Sequence, residues 1–263
     1  MRFLKKSSVV VLVVGIVCWC LAVYLLNNQD AIFDKKYSDK IWIHRVNSIE
    51  KLNEVQDAYL GVELDLVYKL EDSIFDVNHP PAPSTGLSLN NFFASVQNVN
   101  KQKLWLDYKN LNAENELVSL SNLQNLCVKY GISPKQIIVE STAPEYLLSF
   151  SKAGFKTSYY LPRIADVKGG QKDPLVQSIH KSLDNYSINY ISADKIHLGR
   201  LKDLFPEKEI LTWIVNAESD KASFWEVRAL YNKFIRARKK YKVFSDPKVL
   251  IVLHSYKAKE GNY

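Results

Sequence analysis

The sequence predicts a (β/α)8 TIM barrel preceded by an N-terminal transmembrane helix, and three observations carry that reading. Eight short strand-like runs alternate with helical patterns between residues 41 and 247, the pattern of a parallel sheet that closes on itself. Setting aside an apolar N-terminal segment leaves roughly 230 residues, the size of one such barrel or of two smaller domains. Charged and histidine side chains stand at the ends of several runs, which is where a parallel barrel carries its chemistry.

Arg2, Lys5 and Lys6 precede an uncharged apolar run over 9–26. At about 1.5 Å per residue it just reaches across a hydrocarbon core of about 30 Å. It reads as a single-pass signal-anchor. A cleaved signal peptide is the alternative, although the bulky Tyr24-Leu25-Leu26-Asn27-Asn28 offers no small-x-small site. A lipoprotein reading through Cys18 or Cys20 is disfavoured by the large Val17 and Trp19 before them. The positive-inside rule keeps the N-terminus in the cytoplasm and places the folded domain on the extracytoplasmic side. The expected division is an anchor over 1–28, a polar linker over 29–40 and a barrel over 41–263.

Cys127 is the single cysteine beyond the anchor, so no disulfide can form within the domain, which is large enough to hold itself together by burial. A composition of 47% hydrophobic and 24% charged residues is that of a globular protein and excludes a disordered chain. The net charge of +7 gathers at Arg228, Lys233, Arg236, Arg238, Lys239, Lys240 and Lys242. That cluster is either a solvated helix face or a contact for anionic lipid headgroups. No nucleic-acid motif accompanies it.

The first strand is expected over 41–44, followed by a helix capped by Ser48 that buries Ile49, Leu52 and Val55. A second strand spans 60–67, and an excursion returns through 75–79 to the rigid loop Pro80-Pro81-Ala82-Pro83. Ser88 starts a helix carrying Leu89, Phe92, Phe93 and Val96. Strand 103–108 precedes a helix over about 113–130 that Gly131 closes. Strand 136–140 precedes a helix over 144–153; strand 156–161 precedes a loop with Gly169 and Gly170 and a helix to 183. Strand 190–193 leads into a short helix ending near 205. Strand 209–215 precedes the basic helix over 223–239, and strand 241–245 is the eighth. The apolar run 249–254 is left as an extra strand or an outer helix.

The chemistry concentrates between 41 and 109. In Gly61-Val62-Glu63-Leu64-Asp65, positions 63 and 65 share a strand face while Val62, Leu64 and Leu66 pack on the other. Two such carboxyls repel, and one pKa rises unless a cation sits between them. Asp107 closes the next parallel strand. An all-oxygen trio of Glu63, Asp65 and Asp107 suits Mg2+ or Ca2+ better than zinc. His44 and His79 flank it and could share acid and base roles in displacement at phosphorus. Arg45 and Lys109 are suited to an anionic oxygen. Glu140, at the end of the fourth parallel strand, and Trp213 are further candidates for the pocket wall. Taken singly, each residue has a bland reading as a solvated carboxylate, a hydrogen-bonded histidine or a core tryptophan.

These residues also resemble the glycerophosphodiester phosphodiesterase-like barrel superfamily. The resemblance lies in His44-Arg45, Glu63-Leu64-Asp65, His79 and Asp107-Tyr108-Lys109. It continues more faintly through Trp213-Ile214-Val215-Asn216 and Ser245-Asp246-Pro247. The spacing His44-x-x-Asn47-Ser48, the turn His79-Pro80-Pro81, Leu87-Ser88-Leu89 and Leu106-Asp107-Tyr108-Lys109 are similar to the menorin-type branch. The resemblance implies a cation on Glu63, Asp65 and Asp107, with acid–base work by His44 and His79. It implies Arg45 and Lys109 on the phosphate, and in some relatives an internal substrate hydroxyl that attacks first. The chain lacks the family's Pro-Glu-Asn-Thr after the first histidine and its His-Asp dipeptide, and has Asp107 where Glu is usual. The expected function is a membrane-anchored, cation-dependent phosphodiesterase acting on a glycerophosphodiester, a lysophospholipid or a phosphorylated envelope glycan. The competing expectations are a non-catalytic barrel that binds a phosphorylated glycan or lipid headgroup, and a structural partner of membrane proteins.

Overall fold

A computed structural model describes residues 2–164, 167–214 and 223–256. In chain order the elements are α1 (Arg2–Asn27), α2 (Gln29–Lys36), β1 (Ile41–Ile43), α3 (Ile49–Val55), β2 (Gly61–Lys69), β3 (Ile74–Val77), α4 (Leu89–Ala94), β4 (Lys103–Tyr108) and α5 (Glu116–Tyr130). They continue as β5 (Ile137–Ser141), α6 (Leu147–Lys152), β6 (Lys156–Tyr160), α7 (Pro174–Asn185), β7 (Tyr190–Ser192), α8 (Leu198–Leu204), β8 (Glu209–Ile214), α9 (Val227–Phe244) and β9 (Val249–His254). They fall into two compact units, one formed by 1–38 with 217–245 and the other by 39–216 with 246–263.

The larger unit is a closed barrel of eight parallel strands, in the order β1-β9-β8-β7-β6-β5-β4-β2 with β2 pairing back to β1. The alternation read in β2 is what closes it. Val62, Leu64 and Leu66 turn outward into a core shared with Leu52 and Val55 of α3, Phe92 and Phe93 of α4 and Leu123 of α5. The inward side chains fill the barrel instead: Trp42, Trp105, Ile138, Leu211, Ile251 and Leu253 pack together as a second apolar cluster. Gly61 makes room for it. A Cβ there would lie 2.1 Å from the Trp42 ring, so only glycine lets the indole cross β2 at this height.

Local signals set the element ends as expected. Ser48 and Ser88 accept backbone N–H bonds from Lys51 and Asn91 to start α3 and α4, and Gly131, at φ +68°, closes α5. The excursion after β2 is the antiparallel strand β3, which pairs with β2 over Leu66–Lys69, beyond the β1 pairing. In this way β2 continues upward with a new partner and carries the chain back over the barrel mouth.

Two expectations need correction. The run 241–245 is the last turn of α9, not a strand. Its aromatic and β-branched composition looks like a strand, but Val243 and Phe244 extend the buried side of a helix that already buries Leu230 and Lys233. The eighth parallel strand is β9, the apolar run 249–254. Ser245-Asp246-Pro247 therefore stands before the last strand, at the end of the barrel away from the mouth. There the backbone carbonyl of Asp246 accepts from Lys40 Nζ at 3.0 Å. Val215 and Asn216 of the tryptophan motif lie outside the described residues.

The smaller unit contains α1, α2 and α9. The segment Ser8–Asn27 of α1 is long and apolar enough to cross a membrane.

If Gly61 is the space into which Trp42 packs, Gly61→Ala should destabilise the barrel by about 1–3 kcal/mol, the usual cost of overpacking. Adding Trp42→Leu should recover much of that loss, although Trp42→Leu alone destabilises. Denaturant melts of the four proteins check this; additive losses in the double variant would rule out the steric account.

Candidate active site

Each inward position at the top of the barrel follows from strand register. Asp65 lies opposite Asp107, Asp107 opposite Glu140, and Glu140 opposite Ser158, so one interior layer carries three carboxyls on neighbouring strands. Glu63 sits one layer deeper, opposite Trp105. Above them opens a cavity of about 210 Å³ lined by His44, Arg45, Glu63, Asp65, His79, Trp105, Asp107, Lys109, Glu140, Tyr160, Trp213 and Leu253. All nine residues singled out in the sequence line it. Asp194, beyond the end of β7, does not; it caps a 3-10 turn by accepting the Ile196 N–H.

His44 and Arg45 leave the end of β1. Arg45 adopts φ +52°, a left-handed conformation costly for a side chain of its size. Its backbone N–H thereby points at Glu63 and donates to Oε2 at 2.7 Å. His79 is brought in from the opposite side by the β2–β3 hairpin, where Asn78 N–H donates to the Asp65 carbonyl at 3.0 Å. His44 Nε2 then stands 3.7 Å from Glu63 Oε2, and His79 Nε2 3.9 Å from Asp65 Oδ1. The Arg45 guanidinium donates to His79 Nε2 at 2.7 Å. Because arginine has only donors, Nε2 must be the accepting nitrogen of that ring.

The carboxylates are crowded. Glu63 and Asp65 are 2% and 1% exposed, and oxygen atoms of Glu63, Asp65 and Asp107 all lie within 4.8 Å of one another. Lys109 bridges two of them, 2.8 Å from Asp65 Oδ1 and hydrogen-bonded to Asp107. Burial raises the Glu63 pKa well above the usual carboxyl range, and the charges of Asp65 and Asp107 push it the same way. Burial also raises Asp107, more than the opposing pull of Lys109 lowers it. Glu140, held by Ser158 Oγ at 2.7 Å, is pushed up to about 8 by burial and then by Asp107. Burial lowers Lys109, but Asp107 and Asp65 outweigh it and keep the ammonium charged. His44 is lowered to about 4, first by burial and then by Arg45.

This donor set fits a hard divalent cation. It is all oxygen, it comes from two adjacent strands of a rigid sheet, and one oxygen of each carboxyl lies within 4.8 Å of the others.

Two residues that hold the site were missed as site candidates. Asn47 donates to Asp65 Oδ2 at 2.7 Å and accepts the Asp65 backbone N–H at 3.0 Å, holding that residue by side chain and backbone. Lys51 is buried beneath the loop, and its ammonium donates to the carbonyls of His44 and Arg45 at 2.9 and 3.1 Å. Asn47 did have a signal, in the spacing His44-x-x-Asn47. Lys51 had none, because a lysine on a helix reads as solvent-facing.

No family model matches the chain, and no curated relative matches it. Solved structures do. A glycerophosphodiester phosphodiesterase from Parabacteroides distasonis is 12% identical, with a TM-score of 0.53 over 82% of this chain and 92% of its own. A protein assigned as a glycerophosphoryl diester phosphodiesterase from Agrobacterium tumefaciens str. C58 is 12% identical, with a TM-score of 0.56 over 83% and 94%. At such identities the likeness establishes the fold, a closed eight-stranded parallel barrel with surrounding helices.

The pKa shifts define a pH test. Across about pH 4.5 to 8 the native state retains the Glu140 proton that the unfolded chain has released, so cation-free stability falls as pH rises through that window. Glu63 and Asp107 act in the same direction. His44 opposes them between about 4 and 6.5, where the native state binds fewer protons than the unfolded one. The fall carried by Glu140 should therefore stand clear from about pH 6.5 to 8, at up to about 1.4 kcal/mol per pH unit. Mg2+ or Ca2+ competes with the protons of Glu63 and Asp107, so its stabilising effect should grow as pH rises. Thermal melts with cation and with chelator check this. A cation effect that is flat in pH would reject the carboxyl cluster as the ligand set.

Proposed function

We propose that the protein is a membrane-anchored, cation-dependent phosphodiesterase of the glycerophosphodiester phosphodiesterase-like class. One observation carries the reading: a single polar cavity brings two histidines, each beside a different carboxylate of a three-carboxylate cluster, together with Arg45 and Lys109. The fold shared with glycerophosphodiester phosphodiesterases supports it.

Glu63, Asp65 and Asp107 would hold the cation. When bound, it would neutralise charge on the phosphoryl oxygens and on the atom that attacks or leaves. Arg45 and Lys109 orient the anionic phosphate, Arg45 by exchanging its bond to His79 for bonds to a phosphate oxygen. One histidine takes the proton of the attacking hydroxyl or water, and the other returns a proton to the departing alkoxide. Asn47 and the Arg45 N–H position Asp65 and Glu63. Trp213 and Tyr160, whose rings meet edge to face at 5.4 Å, give the cavity an apolar wall for the alcohol part of the substrate. The substrate class is a glycerophosphodiester, a lysophospholipid or a phosphorylated envelope glycan, and the menorin-type likeness of the His79-Pro80-Pro81 turn favours one that departs from simple glycerophosphodiesters. The anchor keeps the barrel extracytoplasmic, where such envelope components occur.

Full-length protein in detergent or nanodiscs should cleave at least one of glycerophosphocholine, a lysophospholipid and bis(p-nitrophenyl) phosphate when Mg2+ or Ca2+ is present. Chelator should abolish turnover. His44→Ala and His79→Ala should each lower it by about 10²–10⁴-fold, and Glu63→Ala should remove both turnover and cation binding. Absence of turnover alongside cation binding that needs Glu63 would instead make the barrel a binding module. Turnover that survives chelator and both histidine variants would place the chemistry elsewhere.

A further inference from the structure

α9 is built unlike a helix that covers a barrel. Val227, Tyr231, Phe234 and Tyr241 recur at helical spacing on one side and are 62%, 62%, 52% and 51% exposed. Trp225, two residues before the helix, is 83% exposed. These are not the helix's buried stripe, which is a separate side carrying Leu230 and Phe244. Arg228, Arg236, Lys239 and Lys242 are exposed along the flank, and the helix contains no Asp or Glu. Its surface thus has three faces: one buried, one aromatic and open, one basic.

The neighbours of α9 within its own unit indicate what covers the open face. Trp19 Nε1 donates to the Phe224 carbonyl at 3.2 Å, and the two rings meet edge to face at 6.0 Å. At the other end, Phe33 and Tyr37 lie against Phe244 at 5.7 and 5.2 Å. Trp19 belongs to the apolar segment Ser8–Asn27, and at about 1.5 Å per residue it lies about 12 Å inside the end of that segment. The start of α9 is therefore level with the last two turns of the apolar segment, and its end is level with α2, beyond it.

We propose that α9 is a second membrane contact, whose Trp225, Val227, Tyr231 and Phe234 enter the headgroup–acyl boundary of the bilayer that α1 spans, with Tyr241 on the headgroup side. The inference rests on the reading of α1 as a membrane span. The basic flank takes anionic headgroups, and Arg238, which falls on the aromatic face, extends its head toward them along its aliphatic stem. A second copy of the chain is the competing occupant, but pairing would set one basic flank against another, whereas an anionic lipid surface complements it.

The test uses the full chain with Cys18 and Cys20 replaced by serine. Cys127 stays, being buried with its thiol pushed up to about 12 by burial, and does not compete for label. Single cysteines at Val227, Phe234, Asn232 on the polar flank, or Val13 in the anchor carry an environment-sensitive fluorophore in vesicles with or without phosphatidylglycerol. Labels at 227 and 234 should be blue-shifted and quenched by nitroxide lipids at about 5–10 Å depth, more strongly with phosphatidylglycerol, while 232 stays open to an aqueous quencher. A label at 234 as aqueous as that at 232, with 13 deep in the bilayer, overturns the proposal and leaves the anchor standing. An aqueous label at 13 overturns the anchor reading itself. Shielding of 234 from both lipid and aqueous quenchers, rising with protein density, would assign the face to a second copy and overturn the lipid contact.

Discussion

The structure turns on the crowding of carboxyl groups in the mouth of the barrel. Burying even one ionised carboxylate is expensive unless it is paired, and here Asp65, Asp107 and Glu140 share one layer with Glu63 just below. The sheet tolerates this because its register is fixed by an apolar plug underneath, where Trp42 fills the room left by Gly61. The loops tolerate it because they contribute fixed donors. Arg45 accepts a left-handed backbone to aim its N–H at Glu63, Asn47 grips Asp65 twice, and Lys51 ties the carbonyls of the same loop from below. Arg45 and Lys109 also bring positive charge to Asp65, at 3.9 and 2.8 Å. A set of rigid oxygen acceptors converging on one point is what a preorganised cation site requires.

The same crowding explains how the two histidines differ. His44 is pressed among buried groups and beside Arg45, which disfavours its charged form. His79 arrives on a hairpin attached to the top of β2, more exposed, and accepts from a guanidinium that has an evident second use on a phosphate. The β3 excursion, an addition to the eight-stranded closure, thus delivers the second histidine to a mouth whose parallel strands have already delivered the acids.

Much of this was legible in the sequence because strand alternation has a period of two and a barrel makes that period functional. Glu63 and Asp65 share a face in any strand, and one face of every barrel strand is the interior. The residues at strand ends converged as that logic requires. What stayed hidden belongs to longer range. Asn47 and Lys51 act through loop geometry that no periodicity encodes. Glu140 was recognised as a wall residue, but its place in register with Asp107 depends on strand pairing. The misreading of 241–245 has the same origin: Tyr-Lys-Val-Phe has strand composition, and only the buried side begun at Leu230 and Lys233 makes it the end of a helix.

That helix departs from the pattern of the barrel's other helices. In chain order α9 fills the place of the last crossover helix between β8 and β9, yet it clusters with α1 and α2. A crossover helix of a soluble barrel turns its polar face outward. α9 exposes both aromatic rings and cations, a combination that is costly in water and favourable where hydrocarbon meets charged headgroups. The cation–π contacts of Lys36 with Tyr241 and of Lys240 with Phe33 belong to the same pattern, with positive charge carried on aromatic faces. A crossover helix need only connect two strands, so the rest of its surface is free to be specialised, as the proposed membrane contact requires.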